Sequence, residues 1–111
     1  MDLNSEYIDV NDALNRVGGN MDLYKRLLKR FIEGNQMDEL SKALESGNPE
    51  EGARLAHTVK GVAANLSLIK LRDLTADMEL IIKDGLDHTA KLSEIIEAYG
   101  ETEKVILGII G

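Results

Sequence analysis

At 111 residues, with 43% hydrophobic and 30% charged residues, the chain has the size and mixture of one globular domain and is too short for a conventional two-domain enzyme with its own nucleotide site. Its 20 acidic against 13 basic residues give a formal charge of −7, a field that repels nucleic-acid backbones and anionic membrane surfaces and so argues against both as partners. There is no cysteine, which excludes disulfides and thiolate metal sites. No apolar run approaches the ~20 residues needed to cross a bilayer. Met1 is followed by Asp2 and Asn4 rather than by a basic, then apolar, leader, so a cytoplasmic location is expected.

Strand signals are nearly absent, while Leu, Ile, Ala, Glu and Lys recur at helical spacing, which predicts an all-α fold. A short helix is expected from Val10 to Val17, with Asp9 as N-cap and Gly18-Gly19 as terminator. Asn20 caps a second helix whose Leu23, Tyr24, Leu27, Leu28, Phe31 and Ile32 form an apolar flank, and whose continuation through Gln36 to about Ser46 is one of two open alternatives. Met37, Leu40 and Leu44 fall out of phase with that flank, so a kink or break at Gly34-Asn35 stays open. In Gly47-Asn48-Pro49-Glu50-Glu51, a terminating glycine, an Asn cap, a proline at the first helical position and two acids predict a helix beginning at Pro49 and ending near Leu66.

Ser67 or a neighbour opens the next helix, in which Leu71, Leu74, Met78, Ile81 and Ile82 face the core and Arg72, Ala76, Glu79 and Lys83 lie opposite. Asp84-Gly85 closes it. Asp87 caps a last stretch through Leu92, Ile95, Ile96 and Tyr99, which resumes after Gly100 over Val105, Ile106 and Ile109 and frays in its final turn. Short links between amphipathic helices favour antiparallel neighbours, hence an up-and-down antiparallel four-helix bundle with a short N-terminal helix. With no repeat and no linker composition, residues 1–111 are read as a single domain, and a closed bundle as a monomer.

The chemistry concentrates at His57. Wound at about 100° per residue, Leu55, Val59, Val62, Ala63 and Leu66 gather on one side of their helix while the imidazole points away toward water. Ala53, Gly61 and Ala64 clear space on the same face, and Arg54 and Lys60 supply positive charge within about one turn. A surface histidine is ordinarily an unremarkable polar residue, which is the reading given to His88. The neighbours of His57 set it apart: an amine three residues on suits a phosphoryl group, and Gly61 gives up about 1 kcal/mol of helix stability relative to Ala, which points to a need for access. An uncharged imidazole carries a lone pair able to attack phosphorus. No phosphate-binding glycine loop, kinase motif, His-x-x-x-His pair or serine nucleophile system occurs, so no intrinsic cofactor or metal is expected.

The run Ala56-His57-Thr58-Val59-Lys60-Gly61-Val62-Ala63-Ala64-Asn65-Leu66 resembles the signature of histidine-containing phosphotransfer domains, the shuttle modules of two-component phosphorelays. Ile8-Asp9, Ala13-Leu14, Gly18-Gly19-Asn20, Leu23-Tyr24, Leu28 and Phe31-Ile32 resemble the family's approach to it, Ala43-Leu44 and Asn48 its middle, and Met78-Glu79 the following helix, so most of residues 8–85 is covered. The resemblance implies a four-helix bundle, His57 as the phosphorylated residue, Lys60 as phosphate support and Gly61 as partner clearance. It also implies, as partners, receiver domains of response regulators and hybrid histidine kinases, which supply the aspartate and Mg²⁺. Arg54, Ala64, Glu79 and Lys83 are then candidate partner-facing residues. Ser67 departs from the glycine common at that position. Two other readings stand beside the relay: a module phosphorylated directly by a chemotaxis-type histidine kinase, and a non-catalytic helical adaptor.

Overall fold

The computed structural model describes residues 5–34 and 36–111. Residues 1–4, which carry the reading of a leaderless start, and Asn35 lie outside the described residues. Among the described residues there are six helices and no strand: α1 (Val10–Arg16), α2 (Met21–Glu33), α3 (Gln36–Glu45), α4 (Pro49–Leu66), α5 (Ile69–Lys83) and α6 (Thr89–Ile110). α4 packs on α3 and α5, α5 on α6, and α6 on α2, while α1 touches α2 and α4. Tyr24, Leu28, Leu40, Val59, Leu71, Met78, Ile95 and Ile106 are sealed in the shared core.

The N-terminal signals act as the sequence predicts. Asp9 accepts from the Asp12 amide at 3.0 Å, Asn20 from the Leu23 amide at 3.0 Å and Asn48 from the Glu51 amide at 3.2 Å, each satisfying a donor that its helix leaves open. Asp87 accepts from both the amide and the hydroxyl of Thr89 at the start of α6.

Three boundaries are left open or read differently in the sequence. The second helix is not continuous to Ser46: Gly34 turns extended, with φ −77° and ψ 164°, and α3 starts afresh at Gln36. That break rotates Met37, Leu40 and Leu44 into the core, where all three are buried, and so removes the phase conflict of an unbroken helix. The last helix, by contrast, runs through Gly100 without interruption and through its final turn to Ile110. Gly100 faces open space while Thr102 and Ile106 beyond it are buried, so tertiary packing outweighs the roughly 1 kcal/mol penalty of a helical glycine.

Of Ser67 and its neighbours, it is Leu68 that opens α5, while Ser67 ends α4. Its φ of 57° is left-handed, and the Leu68 amide returns to the Ala63 carbonyl at 2.8 Å while the Ser67 amide reaches Ala64 at 3.3 Å, the paired bonds of a Schellman turn. A side chain is disfavoured in that conformation, which accounts for glycine being common there. Here the side chain is used: the buried Ser67 hydroxyl donates to Asp12 Oδ2 at 2.6 Å, and the Ser67 carbonyl accepts from the Asp9 amide at 3.0 Å. The corner after α4 is thereby bolted to α1. Tyr24 fixes the same end from α2, its buried hydroxyl donating to the Leu66 carbonyl at 2.8 Å.

Candidate functional site

α4 presents the site because its inner face is committed to packing. Leu55, Ala56, Val59, Ala63 and Leu66 are buried, and Val62 half-buried. Gly52 lets the helix approach closely: a Cβ there would come within 2.5 Å of Leu44 Cδ2 and 3.6 Å of Ile82 Cδ1. His57 stands on the other side, its side chain 67% exposed. It lines an open groove of about 690 Å³ with Pro49, Ala53, Arg54, Glu79 and Lys83.

Beneath the ring lies a carboxylate. Glu79 of α5 has a side chain only 9% exposed, and its Oε1 sits 3.2 Å from His57 Nδ1. The same oxygen accepts from Lys60 Nζ at 2.8 Å, and Oε2 accepts from Lys83 Nζ at 2.8 Å. These two lysine hydrogen bonds, Lys60 first, pull the Glu79 carboxyl down to about 2 against the upward push of desolvation, with His57 adding a smaller pull. A carboxylate only accepts, so Nδ1 is the donor, and in the uncharged ring Nε2 is then the nitrogen with the free lone pair. Two ammonium groups around one carboxylate leave these three side chains one positive charge in excess beside the ring.

The predicted residues divide accordingly. His57, Lys60, Glu79 and Lys83 are brought into one hydrogen-bonded cluster. Gly61 is exposed, and a Cβ placed on it would meet nothing within 4 Å; Ala64 is half-buried further along the helix. Arg54 is corrected. Its guanidinium is turned back along α4 to Glu51, through Nε to Oε2 at 3.0 Å and Nη2 to Oε1, and so is not directed to the imidazole. Lys60 is directed at the carboxylate that also holds Nδ1, and that bond uses one of the three N–H donors of its ammonium.

Glu79 is also corrected: the helical pattern set it on the solvent side of α5, and the structure buries it against α4. Its direct bond to His57 was missed. The available signal was its place between Thr75 and Ile82 at i−4 and i+3, both buried. His88 is remote in role, lending its carbonyl to the Leu92 amide at the start of α6.

Among the described residues no group of three or more His, Cys, Asp or Glu is placed to hold a metal ion, and no helix is long and apolar enough to cross a membrane. The scaffold and site thus define an all-helical domain that displays one imidazole to solvent over a carboxylate and two lysines. The family model for the Hpt domain matches residues 26–104, most of the chain and every member of the cluster; the chain belongs to the Hpt domain family. No curated protein and no solved structure matches it. Membership assigns the chain to histidine phosphotransfer in two-component signalling, among the partners of such systems.

Proposed function

We propose that the chain is a phosphorelay intermediate in which His57 Nε2 takes a phosphoryl group from the aspartyl phosphate of one receiver domain and hands it to the aspartate of another. The Nε2 lone pair attacks phosphorus, a P–N bond forms as the P–O bond to the donor carboxylate breaks, and the carboxylate leaves with that electron pair. The Nδ1 proton stays on the ring, bonded to Glu79, which stabilises the positive charge the imidazole develops. Lys60 and Lys83 offset the charge of the arriving group, and Gly61 admits the partner's surface. The Mg²⁺ and the acceptor carboxylate belong to the receiver; a site with two ammonium groups suits an anion and not a resident cation.

The observation that carries this reading is the single carboxylate oxygen that orients an exposed imidazole from below while leaving Nε2 free. The ring of packing partners α2, α4, α5 and α6 and an overall shape of 42 × 21 × 20 Å support an up-and-down four-helix bundle with α1 laid on it. In the same reading residues 1–111 act as one cytoplasmic, monomeric carrier with no ATP site.

Incubation with a phosphorylated receiver domain and Mg²⁺ tests it. The expected product is an acid-labile, base-stable label on the chain that is lost in His57→Gln; a label that persists in that variant removes His57 from the role.

A further inference from the structure

The two ammonium groups that meet Glu79 are not equivalent. Lys60 reaches across from α4 to Oε1, the oxygen that also takes His57 Nδ1, and its side chain is 33% exposed. Lys83 stands one turn beyond Glu79 on α5, has Oε2 to itself and is 60% exposed. Of the two, Lys60 has the larger share in holding the Glu79 carboxyl low. Its bond also ties two helices together, whereas an exposed ion pair one turn apart on a single helix adds little to stability.

The groove beside the ring separates them further. His57 and Lys83 both line it, with Ala53 and Ile82 between them, and Lys60 is not part of that lining. The other cation there, Arg54, is occupied by both oxygens of Glu51, and Glu50 adds an acid at the rim. With Nδ1 turned onto Glu79, a phosphoryl group on Nε2 stands at the open edge of the ring. An ammonium has three N–H donors and Lys83 spends one on Oε2, so it keeps Glu79 while offering two to phosphoryl oxygens. A phosphoryl dianion draws that ammonium more strongly than a single carboxylate charge already shared with Lys60.

We propose that the two lysines divide the work: Lys83 bonds the oxygens of a phosphoryl group on His57, and Lys60 holds Glu79 in place so that Glu79 orients the ring. This rests on phosphorylation of His57, and it adds to that reading a phosphoryl-positioning residue on α5, outside the run 56–66 that carries the resemblance. When the phosphoryl group is lost to water, the water oxygen bonds phosphorus, the P–N bond breaks and Nε2 takes its electron pair, leaving a neutral ring with its Nδ1 proton. Charge on the non-bridging oxygens drives that departure in a loose transition state, so a cation drawing on those oxygens slows it. The same cation lessens the repulsion between an incoming phosphoryl donor and the acidic chain, and so speeds charging.

The experiment charges wild type, Lys83→Met, Lys83→Arg and Lys60→Met with phosphoramidate, a small donor that needs no docking surface. It follows the charging rate, the lifetime of the phosphohistidine after the donor is removed, and the tautomer of the uncharged ring by nitrogen NMR. Lys83→Met is expected to charge about ten-fold more slowly and to lose its phosphoryl group about three-fold faster, with the Nδ1–H tautomer unchanged. Lys83→Arg keeps the charge and its donors and restores most of both rates. Lys60→Met disturbs the tautomer. Wild-type charging and lifetime in Lys83→Met overturn the division, as does failure of the arginine to restore either rate. A tautomer lost in Lys83→Met also overturns it, by making Lys83 a support of Glu79. So does a shortened lifetime with an intact tautomer in Lys60→Met, which returns the phosphoryl group to Lys60. Should His57→Gln take the label as wild type does, the phosphohistidine reading itself fails, a result distinct from each of these.

Discussion

Glu79 and His57, 22 residues apart on neighbouring helices, meet through one oxygen: Glu79 Oε1 lies 3.2 Å from His57 Nδ1. The carboxylate beneath a solvent-facing ring makes the tautomer a property of the fold. Glu79→Gln keeps an acceptor for Nδ1 but removes its charge, and Glu79→Ala removes both. Phosphoryl acceptance is expected to fall modestly in the first and by about ten-fold or more in the second. Nitrogen NMR of the imidazole is expected to report a loss of the Nδ1–H tautomer in Glu79→Ala, and an unchanged tautomer there removes the orienting role.

The same carboxylate makes stability depend on pH. Its ionisation is held at about 2, below the ordinary 4.5, so as pH falls the unfolded chain takes up this proton first and the folded state loses ground. The contribution is complete above about 4.5 and disappears as pH falls through about 2. Urea unfolding across that interval is expected to show a shallower decline for Glu79→Gln than for wild type; identical slopes refute the assignment.

The glycines of α4 separate by sign. Gly61→Ala fills open space in a regular helix and is expected to stabilise the chain by about 1 kcal/mol. Gly52→Ala gains the same propensity yet drives Cβ into Leu44, a contact of 2.5 Å, so its net effect is destabilising. Thermal unfolding of the two variants distinguishes them. Transfer assays on Gly61→Leu check the access role, with slower acceptance from a receiver and ordinary labelling by phosphoramidate.

At the corner after α4, Ser67→Gly relieves about 1 kcal/mol of left-handed backbone strain while losing the hydroxyl bond to Asp12. Ser67→Ala loses that bond and keeps the strain. Ser67→Ala is therefore expected to be the less stable of the two by chemical denaturation, and less stable than wild type; an alanine variant as stable as wild type removes the bolt between α1 and the corner.

Much of this architecture was legible because helix ends announce themselves locally. Asp9, Asn20 and Asn48 cap as their residue types require, and Pro49 and Gly47 fix the start of the site helix. What escaped depended on through-space packing. Whether Gly34 breaks a helix and Gly100 does not is decided by which following side chains the core takes in. The outward position of His57 followed from its own helical pattern, whereas the inward position of Glu79 depended on α4 coming to rest beside α5. Arg54 found Glu51 one turn away rather than the ring, a competition between two exposed partners that spacing alone does not rank.

The imidazole is gripped from the interior and bare on its outer side. Its geometry consequently depends on Glu79 and the lysines that hold it, and not on the exposed α4 residues Arg54 and Gly61, which make no bond to the ring. On the relay reading proposed above, substitutions at those two positions alter what a partner meets while the nucleophile keeps its aim, so docking and transfer chemistry are separately adjustable in this small scaffold.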